Sequence, residues 1–234
     1  MTARIVGTSL WSTLGDQTAD TADAEIPPPV ILYPPYTLRD GLLLLGLNAW
    51  DGNAGTITPP SGFSAITGIT NGPDGASAVT LGCFSKTASS EGLNYSYSWV
   101  NTQWHMAALL AIDGWDSIDI AAAAEGSSTA PQSPSVTTTV NDCLIIRGFV
   151  ADISTSLLPV AQNDGSLTIT SVFRNVPDGT GGKAALYGGA HRQAAAGASG
   201  TFTFSTASEQ WRAFTIAIAP AGKAGGMSGI EVGA

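Results

Sequence analysis

The chain has 234 residues, of which 44% are hydrophobic and only 12% charged. A body of this size buries about 70% of its unfolded surface, so no metal or disulfide framework is required to hold it together. The net charge of −9, with nine Lys and Arg spread singly, lacks the clustered cations that nucleic acid and anionic membranes demand, and neither is an expected partner. With Gly, Ala, Ser and Thr in place of charge, the surface suits a protein packed against neighbours.

Residues 1–29 open with "MTARIVGTSLWS", which has no apolar core of signal-peptide length, and continue with the acidic, Pro-terminated "TLGDQTADTADAEIPPP". They read as an extended N-terminal arm, with Ile5, Leu10 and Trp11 as the apolar residues an arm would insert into a neighbour. From Arg39, "RDGLLLLGLNAW" is a continuous apolar run, too short to span a bilayer and expected to be a strand covered on both faces. Turn signals follow in "DGNAG", "TPPSG" and "NGPDG". Next come the alternating "ASAVTLGCFSKTA", the aromatic–hydroxyl strand "YSYSW", and "NTQWHMAALLAID". "AAAAEG" from Ala121 offers at most a turn of helix before Pro131 and Pro134, and "PSVTTTV" is β-branched.

The same order then recurs. "NDCLIIRGFVAD" parallels the Arg39 run, "KAALYGGAHRQAA" the alternating strand, "TFTFS" matches "YSYSW", and "SEQWRAFTIAIAP" matches "NTQWHMAALLAID". Four matches in register indicate an internal duplication. The pairs Tyr95 with Phe202, Tyr97 with Phe204, and Trp104 with Trp211 are expected core anchors. The predicted fold is all-β: an antiparallel, jelly-roll-like β-sandwich of about twelve strands over residues 30–220. It is built from pseudo-repeats of about 30–116 and 117–220, stacked face to face or interleaved so that each buries the other's aromatics. Residues 221–234, with Ile230 and Val232, read as a C-terminal extended arm.

Little in the chain points to chemistry. His105 and His191 fall at non-equivalent places in the repeats and read as structural or solvent-exposed, and no GxSxG, HExxH or DxDxDG motif occurs. No cofactor or metal is expected. Cys83 and Cys143 read as two buried thiols, with one disulfide left open. Most Asp residues stand in turns, where they bond their own backbone. The densest acidic spot is "IDGWDSID", where Asp113, Trp115 and Asp116 form a candidate glycan loop and a calcium loop is also conceivable.

The string "DGLLLLGLNAW…TPPSGFSAI…LGCFSK…YSYSW…QWHMAALLAIDGWDSID" resembles a β-sandwich module of phage and prophage virion proteins. There a "GDLLLA" strand, a "TPPxGW" turn and an "AAxxAYRGVD"-like strand recur in this order. The likeness covers roughly residues 30–220 and departs from the pattern in the swapped Asp–Gly of "RDGLLLL" and in Phe63 where Trp is common. It implies a non-enzymatic virion protein made in the host cytoplasm, a capsid decoration (cement) protein or a tail or neck protein. The implied partners are the major capsid protein or other virion proteins, and the implied state is a homo-oligomer, with a trimer favoured. The alternatives are a carbohydrate-binding adhesion module of a phage tail or neck and, third, a glycan hydrolase.

Overall fold

The computed structural model describes residues 2–12, 30–32, 38–51, 57–73, 79–92, 94–99, 105–153, 160–161, 170–175, 183–206 and 208–222. These residues form antiparallel strands and no helix. The first large sheet runs β1 (Arg4–Ser12), β9 (His105–Asp113), β3 (Leu43–Asp51), β7 (Val79–Thr87), β5 (Ser64–Ala65), with β6 (Gly72–Pro73) also on β7. The second runs β10 (Trp115–Ser128), β19 (Glu209–Pro220), β13 (Cys143–Ile153), β16 (Lys183–Gln193), β15 (Thr170–Asn175). Three small sheets complete the fold. They are β2 (Val30–Leu32)–β8 (Tyr95–Trp99)–β4 (Ile57–Thr58), β11 (Gln132–Ser133)–β18 (Phe202–Ser205)–β14 (Val160–Ala161), and β12 (Thr137–Thr138)–β17 (Gly197–Ala198).

The two large sheets follow one path. β1, β9, β3, β7 and β5 correspond in chain order to β10, β19, β13, β16 and β15, and β2–β8–β4 corresponds to β11–β18–β14. The duplication read from the sequence is therefore a duplication of topology, with corrected boundaries. The first repeat begins at β1 and ends at Asp113; the second begins at Trp115, after Gly114 alone. Residues 4–12 are thus the first strand of this chain's own sheet rather than a free arm. Ala3 is buried and Ile5 packs against the central core. Small residues such as Gly7, Thr8 and Ser9 gave this strand no alternation to read. The "AAAAEG" segment lies in β10, because pairing with β19 overrides local helix preference.

Between the large sheets lies an aliphatic core. Leu43, Leu45, Leu47, Val79, Leu81, Ala108, Leu110 and Ile112 of the first repeat meet Leu144, Ile146, Val150, Leu186, Ile216 and Ile218 of the second. Phe214 is the one aromatic residue among its fully buried members. The other fully buried aromatic residues among those described lie within their own repeat, beneath its small sheet. Tyr95 and Tyr97 pack with Trp50, Phe63 and Phe84; Phe202, Phe204 and Trp211 pack with Phe149 and Tyr187. The expectation that the units bury each other's aromatics is therefore corrected. Apart from Phe214, the fully buried large rings sit in the outer layers, and aliphatic side chains fill the seam. β1 lies against β15, β3 against β13 and β16, and β7 against β13 and β19, so the strand orders run in opposite directions across the seam, about an approximate two-fold axis.

The Gln-Trp match is one residue out of phase with this packing. Seam-facing Ala108, Leu110 and Ile112 of β9 correspond to Phe214, Ile216 and Ile218 of β19, which sets Trp211 opposite His105 rather than Trp104. Trp104 lies outside the described residues.

A shared seam makes the repeats one cooperative unit. Leu45→Ala in the first repeat and Ile146→Ala in the second each remove about 2–5 kcal/mol, and each lowers the same single unfolding transition followed by urea titration. Two separable transitions would show that the halves stand alone.

Candidate functional site

The candidate glycan loop is the junction between the repeats. Gly114, with φ of 68°, turns the chain from one sheet into the other within one residue, a conformation that glycine adopts without steric cost. The Ala221 N–H closes the corner on the Gly114 carbonyl at 2.8 Å. Asp113 accepts from the Arg39 guanidinium, from the Gly114 amide at 2.7 Å, and pairs with Arg4 at 3.5 Å. The Arg39 hydrogen bond, helped by the Gly114 amide and both guanidinium groups against modest burial, holds its carboxyl below the usual range. Trp115 donates its indole N–H to the Gly41 carbonyl at 2.8 Å and lays its ring against the central core. Asp119 accepts from the amide and hydroxyl of Thr139. Asp116 is exposed and accepts from Ser117 Oγ at 3.3 Å. The three carboxylates turn to separate sets of partners, and no group of three or more metal-ligating side chains converges among the described residues.

The imidazoles belong to separate repeats. His105 is buried in the outer layer of the first, stacked on Trp50 at 4.6 Å between centroids, with Nε2 3.1 Å from Asn48 Oδ1. Burial pushes its pKa down to about 3, so the ring is neutral and the contact is read as an Nε2–H donor to the amide oxygen. His191 on β16 is pushed down to about 4, by burial first and the Arg147 charge second. Cys83 and Cys143 are free, buried thiols whose pKa values burial raises.

Sequence reading missed three buried charged groups. Arg147 is fully buried on β13. One guanidinium nitrogen donates to Ser133 Oγ at 3.1 Å, and the other to the carbonyls of Ser199 at 2.7 Å and Gly200 at 2.8 Å. Arg212, also buried, reaches across the seam to the carbonyls of Gly72 and Thr70 and lies 3.7 Å from Glu125. Glu91 accepts from Lys86 Nζ at 2.9 Å, the Ser89 amide at 2.7 Å and the Tyr95 hydroxyl at 2.7 Å. Burial raises its pKa, but these donors and the Lys86 charge outweigh that and hold it low. The signal for Arg147 was present in "CLIIRGFV": a lone charge in a doubly covered strand must be buried and hydrogen-bonded.

Of the other expected residues, Tyr95, Tyr97, Phe202, Phe204 and Trp211 are buried in the outer layers. Leu10 and Trp11 lie in β1 opposite Ala108 and Ala107, with side chains outside the described set. Ile230 and Val232 lie outside the described residues altogether. No family model, curated protein or solved structure matches the chain.

Trp115→Phe keeps an aromatic side chain, though a smaller one, and loses the bond to Gly41, which costs about 1 kcal/mol and lowers the melting temperature by about 2–4 °C. An unchanged melting temperature would remove the ring from the scaffold. A depressed imidazole pKa contributes stability that is full above pH 6.5 and lost as pH falls toward the folded value. Between pH 6 and 5, His105 therefore makes the unfolding free energy fall by up to about 1.4 kcal/mol per pH unit. His105→Gln flattens that slope in urea titrations at pH 7, 6 and 5.

Proposed function

We propose that this protein is a non-enzymatic structural component of a phage virion, a capsid decoration (cement) protein. On this reading it binds the major capsid protein, or other virion proteins, through the borders of its sandwich and its chain ends. Three features support the reading: the resemblance of residues 30–220 to virion sandwich modules, the low charge of the chain, and the investment of its buried ionisable groups in scaffold contacts. We read the strand order of each repeat, β1–β9–β3–β7 over β2–β8–β4, as jelly-roll-like, an architecture common to capsid and lectin domains.

One observation carries the reading furthest. β1 and β10 are corresponding border strands, each hydrogen-bonded on one side only among the described residues, and each shows an exposed branched residue, Val6 and Ile120. An open edge of this kind accepts a further strand from a partner without any catalytic group. A carbohydrate-binding module of a phage tail or neck remains the second reading, favoured by exposed Asp116 next to the partly exposed ring of Trp115.

A lysine placed on an open edge blocks strand addition while leaving the fold intact. Val6→Lys and Ile120→Lys are therefore expected to keep stability within about 0.5 kcal/mol of the parent and to reduce co-sedimentation with undecorated capsids at least about tenfold. Undiminished capsid binding by both variants overturns the edge mechanism, and absence of capsid binding by the parent overturns the virion reading. Glycan-array binding that is lost on Asp116→Ala would establish the second reading instead.

A further inference from the structure

Both border strands carry a bulge at the same place. The register of β1 slips between Ile5 and Gly7, opposite Ile112 and Ala111, and that of β10 slips between Ile118 and Ile120, opposite Ile218 and Ala217. Beyond the slip each strand is regular, β1 from Gly7 to Ser12 and β10 from Ile120 to Ser128. Protected edges carry Pro, Lys or further irregularity along such a run. "GTSLWS" and "IAAAAEGSS" contain neither residue. The side chains exposed where these runs begin are apolar: Val6 is 39% exposed and Ile120 36%.

The two borders differ in sign. Beside β1 stand Arg4, 71% exposed, Arg39 ahead of β3, and Arg192 of β16, whose guanidinium donates to the Ala3 carbonyl at 3.3 Å. These three arginines meet two carboxylates, Asp113 on Arg4 and Arg39, and Asp142 on Arg192; Asp40 bonds the Ser90 amide instead. The ionisable side chains of β10 are all acids, Asp116, Asp119 and Glu125. Glu125 is 57% exposed, and the cation beside it, Arg212, is buried and turned to the Thr70 and Gly72 carbonyls.

We propose that these are complementary borders, and that a second copy of this chain lays its β10 alongside β1 of the first. Two copies have three edge pairings to choose from. β10 with β10 sets acids against acids, and β1 with β1 sets arginine against arginine. Only the mixed pairing brings opposite signs together, and like charges across an interface oppose association. Main-chain hydrogen bonds between the two regular runs supply the ladder, so each strand keeps the partner it already has. The contact joins two different surfaces and is heterologous. It rests on the open-border reading above, with a second copy as the strand donor, and not on the virion reading.

Full-length Val6→Glu and Ile120→Lys chains test it, since both side chains are exposed. Sedimentation equilibrium from about 10 µM to about 2 mM spans the range of weak association, and the parent is expected to grow from monomer to larger species across it. Val6→Glu sets an acid against the acids of β10, and Ile120→Lys sets a cation against the arginines beside β1. Each alone therefore weakens association at least about tenfold. Their equimolar mixture recovers to within about threefold of the parent, because each altered border then meets the other and the remaining borders are native. A parent that stays monomeric, variants that associate like the parent, or a mixture no stronger than its components overturns the proposal. Should a variant fail to fold, the parent decides. Its association falls as sodium chloride is raised from about 0.05 M to about 0.5 M, and association that is unchanged or grows with salt overturns the pairing. Capsids play no part in these readouts: a monomeric parent that binds capsids overturns this inference and leaves the proposed function standing, and the reverse result does the opposite.

Discussion

β3 and β13 are buried on both faces, and that double burial dictates the layering of the molecule. From Leu43 to Trp50 and from Cys143 to Ala151 every side chain is buried. A strand whose odd and even residues are both apolar needs two covers, and one repeat supplies only one of them, its small sheet. The other cover is the large sheet of the second repeat. A single repeat would leave a broad aliphatic face in water, so the duplicated chain folds as four layers in which the two inner sheets protect each other.

Polar groups are admitted to the outer layers and kept out of the seam. Asn48 and His105 satisfy one another beneath the small sheet of the first repeat. Arg147, in the second, clamps the 133–134 and 199–200 segments onto β13 through hydrogen bonds to carbonyls and a hydroxyl. Burying a guanidinium costs several kcal/mol, about what good hydrogen bonds return. What Arg147 contributes is therefore a unique seat for those segments more than net stability. Arg212 stands at the rim of the seam, where carbonyls of the first repeat receive it. The interior of the seam is lined by apolar side chains, so shape complementarity there, with the Arg212 bonds at its rim, sets how the repeats meet. Close approach matters too: a Cβ on Gly126 would come within 2.6 Å of the Trp211 ring, so that ring can lie flat across β10 only because the strand has no side chain there.

Strand identity, antiparallel all-β class and the duplication were legible because each leaves a periodic trace. "YSYSW" and "TFTFS" alternate, and "LLLLGL" and "CLIIRGFV" announce double burial. The first strand left no such trace, since Gly7, Thr8 and Ser9 are small enough to suit either face. Facing was harder still. The Gln-Trp pairs look equivalent, yet which residue meets the seam is set by pairing with β3 and β13, and a one-residue slip exchanges the faces. The junction residues misled for a related reason. Asp113, Trp115 and Asp116 are what a sugar site would contain, but hydrogen bonds to Gly41, Arg39 and Gly114 lie far away in sequence or in the backbone, where composition cannot show them.

Two repeats of one topology invite the expectation of two equal surfaces, and the chemistry denies it. The seam must stay matched, because any residue changed on one side of it is felt by the other. The outer layers carry no such obligation, and there the repeats part company: a neutral Asn48–His105 pair in one, a buried guanidinium in the other. The borders differ as well. β10 follows the last strand of the first repeat after Gly114 alone and pairs along its length with β19, whereas β1 is anchored at its start by Arg4 on Asp113 and by Ala3 in the central core. Symmetry thus fixes the inside of this protein, and the repeats differ in the charge that their outer layers bury.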